Sequence, residues 1–519
     1  MDFGYFLRRL DQGCHVNPDK EAIIFKDERV TYGQLRDRAY QLANGLRGLG
    51  VRKGDRVAVL LRNRTEWFDI FFALAGLGGV LVPVNFLLRS KEVEFIINDS
   101  GASVLLVGEA LLSLIDTGKE GTPGLRDIIC IGGQAPSPSI LSYSVLVNQA
   151  KDSPIFEKVD SEDLFLLQYT SGTTGFPKGA MHTQGTVAWN SFHQVGDFEV
   201  TPRENYLCVP GLCWVAGFHD FTLATLWMGG TVIVMPSGGL EIGSLLDLIE
   251  RERVTRVLLV PTIVKQLIDY PGLSKYGLKS LESVLTGAEP GPVTVIEAFH
   301  RLIPQTALLQ GYGLSEGPSI ATYMKKEDAV RKIGSAGKPV TNCEVLIVDE
   351  AMNRLPPGEK GEIVIRSPAT MKGYWNKPEA TSEVFAGGWM HTGDLAEYDE
   401  EGYIYIRGRK KDMFISGGLN VYPAEIENII LKDRSVAEVA VIGVEDQRWG
   451  EVGFAVMVCK AGRSVDTDAV KALCAAELAA YKVPKDYIIR SEPLPRTASG
   501  KVKKFALKEE VALAGRHEA

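Results

Sequence analysis

Residues 164–179 read LFLLQYTSGTTGFPKG. The first six, Leu164 to Tyr169, are a hydrophobic run of strand length, and a positioned loop follows. It gathers Thr170, Ser171, Thr173 and Thr174 around Gly172 and Gly175, then adds Pro177, Lys178 and Gly179. Glycines let the backbone turn tightly and bring N–H groups close to an anion. The hydroxyls supply further donors, and Lys178 supplies a mobile positive charge. Strand, glycine-rich turn and phosphate recur together for these reasons, so the stretch is built to hold a polyphosphate. It does not fit the Gly-x4-Gly-Lys-Ser/Thr spacing, and no GxGxxG opens a βαβ unit.

Working outward, the first half of the chain alternates helical and strand patterns. An amphipathic segment opens at Thr31 and runs to Leu49, and Lys53-Gly54-Asp55 turns into a strand from Arg56 to Leu61. A helix near Trp67 to Leu77 precedes the apolar strand Val80 to Val84. Further strand patterns lie at Val104 to Val107, Thr231 to Met235, Val257 to Val260 and Ser283 to Thr286. This alternation predicts α/β layers whose parallel strands are buried on both faces. From about Ile333 the pattern changes to short alternating strands (Cys343 to Val348, Gly361 to Arg366, Gly402 to Ile406), which predicts a small β-barrel or sheet. Gly408-Arg409-Lys410-Lys411-Asp412 is a charged, glycine-led boundary. After it a compact α+β unit is expected, with helices opening at Pro423 and Thr467 and a strand at Val439 to Val444. The expected domains are therefore 1–408 and 409–519.

A chain of 519 residues is too long for one ordinary core, and 45% hydrophobic with 24% charged residues is ordinary for a globular protein. The net charge of −8 gives no footprint for nucleic acid. Seven cysteines (Cys14, Cys130, Cys208, Cys213, Cys343, Cys459, Cys474) are scattered and form no CxxC pair. They read as small hydrophobes in a reducing compartment. The opening residues show no positive region followed by an apolar one, so secretion is not expected, and Trp67 to Val84, the most membrane-like run, is interrupted by Asp69, three glycines and Pro83. A cytoplasmic protein without a transmembrane segment is expected.

The Tyr169–Gly179 loop resembles the phosphate-binding signature of the acyl-adenylate-forming superfamily: acyl-CoA synthetases, peptide-synthetase adenylation domains and firefly-type luciferases. Matching segments follow in order. Gly287-Ala288-Glu289-Pro290 resembles the loop that cradles adenine, at the end of a buried strand where a ligand crevice forms. Gln310-Gly311-Tyr312-Gly313-Leu314-Ser315-Glu316 resembles the aromatic-Gly-Ser/Thr-Glu segment. The resemblance implies that Tyr312 stacks on adenine, that Ser315 touches the α-phosphate, and that Glu316, with Thr170, holds magnesium, a hard cation suited to carboxylate oxygen. Trp389-Met390-His391-Thr392-Gly393-Asp394 resembles the ribose segment, with Asp394 accepting from both hydroxyls and Arg409 holding ribose and phosphate oxygen. Ile406 falls in the same nucleotide region. Ser416-Gly417-Gly418, ahead of a Pro-started helix, resembles the glycine turn beside a pantetheine tunnel, and is equally compatible with a plain helix entry. Pro495-Arg496-Thr497-Ala498-Ser499-Gly500-Lys501 resembles the catalytic lysine loop, in which Lys501 would bridge carboxylate and α-phosphate. Lys411 matches the residue about which the small domain rotates.

One segment departs from the family pattern. Around Val209-Pro210-Gly211-Leu212-Cys213-Trp214, Trp214 holds the aromatic position that borders the acyl pocket, or else packs in the core. No aspartate stands where amino-acid-activating members hold the α-ammonium group, since Asp220 lies several residues later. The neighbourhood is apolar, which favours a carboxylate with a hydrophobic body in a pocket walled by Trp214, Gly217, Gly287, Gly311 and Gly313. The resemblance thus implies an acyl-CoA synthetase using ATP, Mg2+ and CoA: acid and ATP give acyl-AMP and pyrophosphate, then the CoA thiol gives acyl-CoA and AMP. A stand-alone acyl-AMP ligase and a luciferase-like oxygenase share the first step, and a homodimer is left open.

Overall fold

The computed structural model describes residues 17–115, 120–133, 137–155, 157–170, 177–287, 293–417, 419–497 and 501–515. The chain is α/β, with a large N-terminal domain and a smaller C-terminal one. Two sheets dominate the large domain. One runs Leu141–Ser142, Asp127–Ile131, Val104–Gly108, Arg56–Leu60, Val80–Pro83, Leu164–Thr170, Lys178–Thr183 in spatial order. All its pairs are parallel except the last. The other contains six neighbouring parallel strands, from Ala307–Tyr312 through Ser283–Thr286, Arg256–Leu258, Asn205–Cys208 and Thr231–Val234 to Glu21–Phe25. Short antiparallel strands finish both of its edges.

The sequence dictates these layers locally. Val80–Pro83 and Val104–Gly108 are buried along their whole length, as strands covered by helices on both faces must be. The helix Tyr32–Gly48 starts because Thr31 Oγ1 accepts from the Gln34 N–H (3.2 Å) while Gln34 Oε1 accepts from the Thr31 N–H (2.9 Å). The membrane-like run resolves into the helix Glu66–Leu77, buried from Trp67 to Leu77 and ended by Gly78 at φ 70°, followed by the strand Val80–Pro83. No helix among the described residues is long and apolar enough to cross a membrane.

The short strands after Ile333 form a five-stranded antiparallel sheet built from Glu344–Val348, Gly361–Arg366, Phe385–Ala386, Trp389–Tyr398 and Ile404–Arg409. The C-terminal sheet comprises Phe414–Ser416, Leu419–Val421, Val436–Asp446, Gly450–Cys459 and Asp486–Arg490. Alternation splits its side chains between two cores. Val441, Ala455 and Met457 face the helices Pro423–Ile430 and Thr467–Glu477, while Ala440, Ile442 and Val456 pack with Leu494 and Leu507.

Candidate active site

The two ends of the glycine-rich segment, Thr170 and Lys178, stand on neighbouring strands. Strands Leu164–Thr170 and Lys178–Thr183 pair antiparallel with Thr170 opposite Lys178, so both ends of the loop emerge side by side. Ser171, Gly172, Thr173, Thr174 and Gly175 lie outside the described residues. The strand pair is clamped from two directions. Tyr169 donates its hydroxyl to Asp99 Oδ2 at 2.7 Å. The segment 371–375 runs along the second strand: the Met181 N–H donates to the Gly373 carbonyl (2.9 Å), Lys372 to Met181 (2.8 Å) and Trp375 to Gly179 (2.8 Å).

Glu316 arrives at this strand pair from the segment after the strand Ala307–Tyr312. Thr170 Oγ1 donates to Glu316 Oε1 at 3.0 Å, and the Tyr374 hydroxyl donates to the same oxygen at 3.2 Å. The Met371 N–H binds the Glu316 carbonyl at 2.9 Å. Lys178 Nζ stands 5.2 Å from the centre of the Tyr374 ring. On the buried side, His182 Nε2 donates to the Ser315 carbonyl at 2.8 Å. Burial pushes the His182 imidazole down to about 4, so it is neutral at physiological pH and serves as a fixed donor. Among the described residues no group of three or more His, Cys, Asp or Glu could hold a metal ion. One carboxylate whose Oε1 is already occupied by neutral hydroxyls fits Mg2+, which takes one or two carboxylates and completes its shell with phosphate oxygens and water.

A second cluster forms where the five-stranded sheet meets the same strand end. Asp394, on Trp389–Tyr398, is buried. Its Oδ2 accepts from the Tyr312 hydroxyl (2.8 Å), and its Oδ1 lies 3.0 Å from Arg409 Nε. Arg409 faces Asp394 across the strand pair, one position past a bulge between Leu395 and Ala396. Burial, then the Asp394 charge, raises the Tyr312 phenol well above its ordinary range, which keeps it a donor. Each carboxylate oxygen retains a lone pair for a ligand hydroxyl. Ile406 pairs with Ala396 on the neighbouring strand, and Gln310 pairs with Thr286.

The glycines expected to wall the acyl pocket have a more local reason for being glycine. A Cβ on Gly313 would sit 2.1 Å from the Ser319 carbonyl oxygen, and one on Gly217 would sit 2.1 Å from that of Gly211. At Gly287 it would meet the Gly311 carbonyl oxygen at 2.7 Å. Gly311 differs: its Cβ would make ordinary contact with Leu285 at 3.4 Å. Three of these four glycines therefore permit close backbone packing, whatever ligand lies beside them. Ala288, Glu289 and Pro290 lie outside the described residues. Trp214 precedes the short helix Val215–Phe218 and packs 6.0 Å from the Phe86 ring, with Gly211 against both.

The remaining predicted residues stand on the C-terminal side. The Thr497 N–H donates to the Lys501 carbonyl (2.7 Å), and Arg496 forms a bridge with Val502. Arg496 Nη2 donates to Glu438 at 2.6 Å. Ser416 is buried and pairs with Leu419 and Gly450. Gly417 has φ 58°, donates to the Trp449 carbonyl (2.7 Å) and lies against the Trp449 ring, while Gly418 is outside the described residues. Lys411 is exposed in a turn.

The structure adds Tyr374 and His182 to the residues found by sequence reasoning. Tyr374 lies 58 residues beyond the carboxylate it touches, in a Gly-Tyr-Trp stretch that reads as an ordinary turn. Only its glycine gives a signal: Gly373 has φ 137°, and a Cβ there would stand 2.6 Å from Thr381.

Comparison with known proteins identifies the family. The AMP-binding enzyme family model matches residues 10–375, and that of the AMP-binding enzyme C-terminal domain matches residues 425–501. The chain is 38% identical over 505 residues to an indoleacetate–CoA ligase of Aromatoleum aromaticum, covering 97% of each protein. Among solved structures, the anthranilate CoA ligase AuaEII in complex with anthranoyl-AMP superposes with a TM-score of 0.91 at 28% identity, covering 99% of this chain and 98% of that one. The o-succinylbenzoate coenzyme A synthetase of Bacillus subtilis, in complex with ATP and magnesium ion, gives 0.85 at 30% identity, covering 98% and 99%. ATP, CoA and a carboxylic acid are accordingly the substrates, with Mg2+ accompanying the nucleotide. The chain belongs to the AMP-binding enzyme family of adenylate-forming proteins and is an AMP-forming, ATP-dependent acid–CoA ligase.

Proposed function

We propose the following division of labour, with an aromatic carboxylic acid as the substrate. Thr170, Lys178 and the hydroxyls of Ser171, Thr173 and Thr174, on a loop opened by Gly172 and Gly175, hold the β- and γ-phosphates. Tyr312 and the 287–290 loop, with Gln310 and Ile406 alongside, flank the adenine. Asp394 and Arg409 take the ribose, and Ser315 lies at the α-phosphate. Glu316, with Thr170, holds the Mg2+, which when bound neutralises phosphate charge. Lys501 supplies the positive charge between the incoming carboxylate and the α-phosphate. The carboxylate oxygen attacks the α-phosphorus, the bond to the bridging β-oxygen breaks, and pyrophosphate leaves. The CoA sulfur then attacks the acyl carbonyl carbon, and AMP leaves with the electron pair. The pantetheine arm passes Ser416, Gly417 and Gly418 after the unit beyond residue 408 has turned about Lys411.

The observation that carries the nucleotide assignments is the bond from Thr170 to Glu316. It joins the edge of the phosphate loop to an acidic residue 146 positions later, with Lys178 directly opposite Thr170. The aromatic substrate is supported by the Trp214–Phe86 ring pair and by similarity to ligases named for indoleacetate and anthranilate. A cytoplasmic location is supported by cysteines that are all free among the described residues, five of the six being buried. A hydroxamate screen over short, medium, long-chain and aryl acids tests the substrate. Turnover greatest with aryl acids is expected; turnover of alkanoic acids with none of aryl acids would overturn it.

A further inference from the structure

Tyr374 is the point where three parts of the nucleotide site meet. Its hydroxyl binds Glu316 Oε1, its ring lies under the Lys178 ammonium, and its backbone bridges to Ala180 on the strand leaving the phosphate loop. The tyrosine is itself held in place. Its N–H donates to Thr381 Oγ1 at 2.9 Å, and Gly373 admits the backbone bend before it.

The charges make this arrangement unusual. A glutamate and a lysine on facing segments would ordinarily pair, and a paired Glu316 and Lys178 would offer little to a cation or to phosphates. Here both hydrogen bonds to Glu316 come from neutral hydroxyls on one oxygen, and among the described residues none reaches Oε2. The Lys178 ammonium rests on a neutral ring. Each group is oriented by a neutral partner and not by the other.

We infer that Tyr374 is a positioning residue for adenylation: it orients Glu316 toward the ATP-bound Mg2+, seats Lys178 for the phosphates, and keeps the two from neutralising each other. The inference rests on the assignment of Glu316 as the magnesium-binding carboxylate. The hydroxyl and the ring then have separable duties. Tyr374→Phe keeps the ring and removes the donor. Tyr374→Ala removes both.

Calorimetric titration of the full-length enzyme with ATP, in EDTA and across a Mg2+ series, reads the two duties without turnover. Tyr374→Phe should raise the Mg2+ concentration for half-maximal tightening about tenfold, the scale expected for residues that orient a metal ligand, while metal-free ATP binding stays near wild type. Tyr374→Ala should show the same loss and also weaken metal-free ATP binding about fivefold, through the lost ring contact. Pyrophosphate exchange should fall in both variants, with thioester formation from supplied acyl-AMP falling less. A wild-type Mg2+ response in Tyr374→Phe, or an equal fall of both half-reactions, overturns the inference. Glu316→Gln separates the underlying assignment. If it too retains the wild-type Mg2+ response, the magnesium assignment fails and this inference with it. If Glu316→Gln loses the response and Tyr374→Phe does not, only the role of Tyr374 fails.

Discussion

Asp220 shows how one buried carboxyl departs from solution behaviour. It lies in a polar nest beneath the Gly313–Ser319 segment, where Asn190 and Gln194 bind the His219 carbonyl and Ser319 Oγ. Its Oδ1 has no hydrogen-bond partner among the described residues. Burial pushes the Asp220 carboxyl up to about 7, against a partial lowering by Ser319, and pushes the neighbouring His219 imidazole down to about 3. An unfolded aspartate titrates near about 3.9. The folded chain therefore holds an extra proton between those values, and the stability this carboxyl contributes is present below about 4 and lost as pH rises through about 7. Asp220→Asn, which cannot ionise, should gain in thermal midpoint relative to wild type on going from pH 5 to pH 8. Paired melts at the two pH values check this; a relative gain in the acid direction would refute the buried, protonated carboxyl.

Among the elements, the segment from Gln310 to Ser319 most constrains the site. It leaves a parallel strand as Tyr312, doubles back so that the Ala321 N–H reaches the Tyr312 carbonyl at 2.7 Å, and presents Ser315 and Glu316 at the bend. The fold-back needs Gly313, whose position is pressed against the Ser319 backbone, a neighbour that no side-chain rotation can relieve. Gly313→Ala should destabilise the protein by about 1–3 kcal/mol, the usual cost of overpacking, and depress adenylation by displacing Glu316. Gly311→Ala, facing the movable Leu285 side chain, should cost less than about 1 kcal/mol. Thermal melts and pyrophosphate exchange on the pair check this, and equal behaviour of the two would remove the fold-back argument. Sequence reading singles out this segment but not the close backbone contact that requires Gly313. Residue spacing announces strands, as at Ser283–Thr286 and Gly361–Arg366, because burial on one or both faces imprints a pattern on neighbouring residues. A close approach between Gly313 and Ser319, or between Tyr374 and Glu316, depends on how the chain returns through space. Local pattern does not carry that information.

At the scale of the whole molecule, the two domains join through a short connection that contains the exposed Lys411, the proposed pivot. Arg409 is fixed to Asp394, and the Lys410 N–H donates to the Gly393 carbonyl at 2.9 Å. Beyond the turn, Asp412 and Met413 both donate to the Arg409 carbonyl, and Phe414 enters the C-terminal sheet. Lys411, between these anchors, is exposed. Contacts across the boundary include Lys360 over the Tyr422 ring at 4.6 Å and Lys360 with Glu425 at 3.7 Å, partly exposed interactions of modest strength. A polar junction of this kind can re-form after rotation at little cost. Under the proposed roles, Lys501 serves adenylation and Gly417 serves thioester formation, so the two half-reactions would call on different parts of one small domain. Lys501→Ala should cut pyrophosphate exchange by about 100-fold, the scale for removing one charge-stabilising group, while still converting supplied acyl-AMP and CoA to thioester. Lys411→Pro, which fixes φ near about −65° at the pivot, should do the opposite: exchange persists and thioester formation from acyl-AMP is lost. Measured side by side, the two variants must fail in different half-reactions. If Lys411→Pro forms thioester at the wild-type rate, residue 411 is not the pivot; if Lys501→Ala loses both steps equally, the small domain does not divide its work between two orientations.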